Sequence, residues 1–186
     1  MTSLITYVRD IMPIRPLTFA EALRTAELQA TKLLQLSGLS NPPFPEAIIT
    51  KLPRVQVERI IPAPASGATQ WSRGRWLILL NGSEVPGRQR FSLAHEFKHV
   101  LDNPFIDVLY PPSSGMSRAE RAEQVCDYFA GCLMPRVWLK RSWTTGTQEP
   151  RVLARQFDVS KQAMEVRLLQ IGLTEPRSRC LTIGAA

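Results

Sequence analysis

The chain has 186 residues, 44% apolar and 21% charged, with three cysteines and a formal charge of +7. Those proportions belong to one folded domain, or one domain with a small appendage, and exclude a disordered chain, a collagen and a disulfide scaffold. No run approaches the roughly eighteen apolar residues of a membrane-spanning helix, and Met1 to Asp10 lacks the basic start, apolar centre and cleavage site of a secretory signal.

In chain order, Thr18 to Leu36 reads as a helix, with a capping box from Thr18 to Glu21, an apolar stripe through Leu23, Ala26, Ala30, Leu33 and Leu34, and Gly38 as the stop. Val55 to Ile61 alternates as a strand. Trp76 to Leu80 is a short apolar run between Gly74 and Asn81-Gly82, the pattern of a buried strand, with Ser72-Arg73-Gly74 as a hairpin turn leading into it. Phe91 to Leu101 and Ser117 to Met134 read as helices, the second opened by a capping box from Ser117 to Glu120 and closed by Pro135. Two shorter helices, Arg151 to Phe157 and Ser160 to Ile171, end at Gly172. A helix, then strands, then helices make an α+β domain with a small antiparallel or mixed sheet. The expected division is a domain over 1–140 and a small helical segment over 141–186.

The only two histidines of the chain stand in one pentapeptide, His95-Glu96-Phe97-Lys98-His99. Two histidines placed at random fall four apart in roughly one arrangement in a hundred, and a glutamate directly after the first makes it rarer still. At i and i+4 of a helix both imidazoles sit on one face. There they can share a zinc ion, while Glu96 stands beside it to take a proton from water. A catalytic zinc needs a third protein ligand. Glu123 supplies it, because Asp127 lies one turn further along the same helix and can orient a ligating histidine. Glu120 belongs to its capping box. Cys126 and Cys132 sit among Val125, Phe129, Ala130 and Leu133 and read as small core residues. The odd cysteine count, with Cys180, suits a reducing cytosol.

Arg90 through His99 resembles the active helix of the ImmA/IrrE family of zinc metallo-endopeptidases, whose motif runs close to R-F-T-L-A-H-E-x-x-H. Glu123 through Pro135 is similar to that family's E-x-x-A-N-x-F-A-A-x-L-L-M-P, and Leu153 to Leu173 to its C-terminal segment. The chain departs from the pattern at Lys98, where many members have glycine, at Cys126-Asp127 in place of Ala-Asn, and by one leucine before Met134-Pro135. The resemblance implies a zincin-like metalloprotease fold with metal ligands His95, His99 and Glu123 and Glu96 as catalytic base. It also implies a cytoplasmic enzyme that cleaves a helix-turn-helix repressor of the XRE type, derepressing stress-response or mobile-element genes.

The last two helices, joined by Asp158-Val159-Ser160, are similar to a helix-turn-helix in which Lys161, Gln162 and Glu165 would face DNA. The apolar Met164, Leu168, Leu169 and Ile171 favour a pair packed on the catalytic domain, so specific DNA binding is not expected. Trp71, Trp76, Trp138 and Trp143 are expected in the core and its rim. The strand Trp76 to Leu80 is expected to pair an extended peptide. Tyr110 and Tyr128 are candidates for stabilising an oxyanion. The alternative function is a DNA-binding or repressor-binding regulatory module that keeps the metal site without proteolysis.

Overall fold

A computed structural model describes residues 3–112 and 115–175; Cys180 and the end of the expected C-terminal segment lie outside them. Among the described residues the elements are α1 Leu4–Arg9, α2 Phe19–Leu36, α3 Ala47–Thr50, β1 Val55–Ile60, β2 Gly67–Ser72, β3 Arg75–Asn81, α4 Pro86–Asp102, a 3-10 turn Asn103–Phe105, α5 Ile106–Leu109, α6 Arg118–Cys132, α7 Arg136–Thr144, α8 Pro150–Phe157 and α9 Lys161–Gln170. The fold is α+β, a three-stranded sheet with helices, in keeping with a zincin-like domain.

Both capping boxes form: the Thr18 and Ser117 hydroxyls accept from the Glu21 and Glu120 amides, and each glutamate accepts in return. The sheet is mixed, in the order β1-β3-β2. β1 runs parallel to β3, with Val57 opposite Ile78, and β2 runs antiparallel, with Thr69 opposite Ile78. β3 therefore has both edges occupied. The strand expected to accept an extended peptide is the central one, and β2 is an edge strand in its place.

The strand β2 was not legible as such. Gly-Ala-Thr-Gln-Trp-Ser has no apolar alternation, because an edge strand is half exposed on both faces. The active helix also begins five residues earlier than its apolar pattern, at Pro86, where proline's missing N–H suits the first helical position. Leu93, Phe97, Val100 and Leu101 then follow an i, i+4, i+7, i+8 stripe into the core. Its C-terminal end is pinned by Arg9, which donates to the carbonyls of Val100 at 2.5 Å and Leu101 at 3.0 Å. A cation on these last-turn carbonyls satisfies groups with no helical partner and suits the helix dipole.

α6 packs against both α2 and α4, burying Ala122, Val125, Phe129 and Ala130. Buried Arg121 donates to Leu17 O and Pro111 O and so ties α6 to the chain that enters α2. The tryptophans stand in core and rim as expected. Trp138 is buried, Trp143 is half-buried, and exposed Trp71 meets Trp76 edge to face at 5.2 Å.

Candidate metal centre

Helical spacing on α4 sets His95 above His99, and packing of α6 across them brings up Glu123. His95 Nε2 lies 3.2 Å from His99 Nε2 and 3.1 Å from Glu123 Oε2, and Glu123 Oε1 lies 3.2 Å from His99 Nε2. A tetrahedral ion bound at about 2.0–2.1 Å holds its ligand atoms about 3.3–3.4 Å apart. Three acceptor groups thus converge at the spacing such an ion imposes.

Asp127 sits one turn beyond Glu123 and accepts from His95 Nδ1 at 2.8 Å. That hydrogen bond fixes the tautomer and leaves the Nε2 lone pair directed at the shared point. Burial alone would lower the pKa of His95, but its bond to Asp127 and the charges of Asp127, Glu96 and Glu123 outweigh it, and the pKa stands above the ordinary value. For His99 burial prevails, helped by the neighbouring His95, and the pKa is lowered. The pair therefore titrates unequally.

Cys126 is another donor close by. Its sulfur and the two imidazole nitrogens lie within 4.8 Å of one another. It is fully buried, and burial followed by the charge of Asp102 pushes its thiol well above the ordinary pKa. Geometry favours Glu123 as the third donor, since its carboxylate oxygens already stand 3.1–3.2 Å from both histidines.

Glu96 is 7% exposed. Its carboxylate accepts from the Thr69 hydroxyl at 2.6 Å. Gly67, on the same strand, makes room: a Cβ there would stand 2.7 Å from Glu96 Oε1. Thr69 and Gly67 escaped the sequence reading because their role depends on an edge strand with no local signature. The centre opens into a cleft of about 420 Å³ between the start of β2 with the first turns of α4 on one side and α9 on the other.

A match to the family model of the IrrE N-terminal-like domain, peptidase M78, spans residues 54–169. The chain belongs to this family. Membership implies a metal, and the convergent donors of α4 and α6 fit one of the zinc type. Among solved structures, a Mycobacterium tuberculosis transcriptional regulator is similar at 18% identity and a TM-score of 0.65, over 96% of this chain and 54% of the regulator. The chain spans about half the length of that protein, and the likeness is one of fold. No curated protein matches.

Several sequence candidates fall elsewhere in this M78 domain. Tyr110 is 1% exposed and donates its phenol to Asp102, and Tyr128 lies beneath the Arg167 guanidinium. Neither lines the cleft. Lys98, at the position of the family's glycine, points into the core and pairs with Asp102. Cys126 and Cys132 are buried, as their apolar neighbours implied. Among the described residues no helix is long and apolar enough to cross a membrane.

Proposed function

We propose that the protein is a zinc-dependent endopeptidase acting in the cytoplasm on a helix-turn-helix repressor of the XRE type. The observation that carries the reading is the triangle of His95 Nε2, His99 Nε2 and the Glu123 carboxylate, with the buried carboxylate of Glu96 beside it. His95, His99 and Glu123 would hold the zinc, and Asp127 would orient His95. When bound, zinc polarises the scissile carbonyl and lowers the pKa of water to about 7.

The remaining work falls to this chain's own groups. Glu96 takes a proton from the attacking water onto its carboxylate and delivers it to the leaving amine nitrogen. The Thr69 hydroxyl keeps that carboxylate in one orientation. The free edge of β2 offers backbone groups to an extended peptide, which would lie across the cleft mouth.

The test is incubation of the zinc-loaded protein with a candidate XRE-type repressor, followed by mass analysis of fragments. Discrete fragments are expected. Glu96→Gln should retain zinc and lose about a hundred- to ten-thousand-fold in rate, since the amide still hydrogen-bonds but takes no proton. Cleavage undiminished in that variant would remove Glu96 as the base, and a repressor bound but left uncut by the zinc-loaded wild type would leave a repressor-binding module.

A further inference from the structure

We propose that α9, the second helix of the helix-turn-helix-like pair, is the wall of the cleft that selects substrate side chains, and that Ala163 and Val166 form the subsite for an apolar residue of the peptide. This rests on the peptidase reading and adds to it what that site chooses.

The pair is welded to the catalytic helix. Arg90 of α4 donates to the Asp158 carbonyl at 2.6 Å and pairs with the Asp158 carboxylate in the turn between α8 and α9. Gly87, in the first turn of α4, lets that turn approach directly: a Cβ there would lie 2.8 Å from the Val159 carbonyl carbon. The far end is anchored as well. Buried Arg167 donates from Nε to the Met134 carbonyl at 3.1 Å, beyond α6. A helix held at its start by α4 and near its end by the chain that leaves α6 keeps a fixed place relative to the metal donors.

What α9 presents from that place is a side-chain surface. Ala163, Val166, Gln162 and Gln170 line the cleft, opposite Phe91 of α4. Val166 is 50% exposed although apolar, and Ala163 beside it is half-buried. A medium-sized apolar side chain of an extended peptide would cover both. A DNA-reading helix needs its N-terminal face open to a groove. Here Ser160 and Gln162, at that end, face the cleft, and the turn before them is covered by α4. Lys161 points away and pairs with Glu165.

The experiment measures binding of peptide hydroxamates to the zinc-loaded full chain by calorimetry, with leucine, aspartate or glycine as the side chain next to the hydroxamate. The wild type is expected to prefer leucine over aspartate by roughly tenfold or more, the scale of one side chain in an apolar subsite. Val166→Lys should reverse that preference. Ala163→Leu should weaken the leucine compound about tenfold and spare the glycine one. Lys161→Ala should leave all three unchanged. If zinc and hydroxamates bind but both cleft variants keep the wild-type ratios, the α9 subsite is wrong while the peptidase reading stands. If zinc or every hydroxamate fails to bind, the peptidase reading falls and the subsite with it.

Discussion

Two faces of α4 carry polar clusters, and they are built on opposite principles. Toward the core, Lys98 donates to Asp102 Oδ1 at 2.5 Å and Tyr110 donates to Asp102 Oδ2 at 2.5 Å, with all three residues about 1% exposed. Two donors meet one carboxylate, and the cluster closes on itself. Burial and Asp102 hold the Tyr110 phenol protonated, far above its ordinary range. Toward the cleft, His95, His99 and Glu123 bring three potential metal donors to one point with no lysine or arginine among them. A closed cluster holds a fold together; an open one, short of positive charge, is built to receive an ion.

Breaking each cluster should separate the two roles. The largest effect is expected from His99→Ala, which removes one acceptor. Elemental analysis should fall from about one zinc per chain to background, with helical circular dichroism unchanged. Full zinc retention would show that the open cluster is not the metal site. On the opposite face, Lys98→Met leaves Asp102 buried without its cation. That class of change costs about 3–5 kcal/mol, and for a chain of this size it should lower Tm by roughly 6–20 °C. The folded fraction should still bind zinc. Lys98→Met with Asp102→Leu should be milder than the single change, because no charge is left uncompensated.

A smaller change sharpens the contrast within the cleft itself. Asp127→Ala removes the acceptor of His95 Nδ1 and frees the ring to turn. Zinc affinity should fall about ten- to a hundredfold, and excess zinc should restore occupancy. Competition with a chelator of known affinity measures it. An affinity loss as complete as that of His99→Ala would make Asp127 a ligand and not an orienting residue.

How much of this was legible depended on sequence distance. His95, Glu96 and His99 are local in sequence, and helical periodicity alone puts the histidines together. Glu123 and Asp127 are local to each other, so their shared face could be read as well. The capping boxes at Thr18 and Ser117 announced two helix starts through residue types whose chemistry is confined to one turn. The polar first turn of α4, Pro-Gly-Arg-Gln-Arg, hid its true start because its early residues meet solvent and the α8–α9 turn as well as the core. The inward turn of Lys98 had no signal in the sequence beyond its departure from the family's glycine. Only the packing shows that position 98 turns inward to Asp102 and Tyr110, four and twelve residues away. The role of α9 was equally hidden, since Gly87 and Arg90 meet Asp158 and Val159 across some seventy residues of chain.

Thr69 reaches the centre from an edge strand and carries the smallest expected effect. It stands on β2, 27 residues before Glu96, and donates to the carboxylate that is proposed to move the proton. Thr69→Val keeps the shape and removes the donor. One such hydrogen bond contributes about 1 kcal/mol, so kcat should fall roughly five- to tenfold. KM should hardly move, because Thr69 positions the base and is not among the residues lining the cleft. Thr69→Ser restores the hydroxyl without the methyl group and should recover most of the rate. Steady-state kinetics on a peptide cut from the cleaved repressor measures both constants. A loss that appeared in KM, or that serine failed to repair, would place Thr69 in the packing of β2 and leave Glu96 oriented by burial and by the space at Gly67 alone.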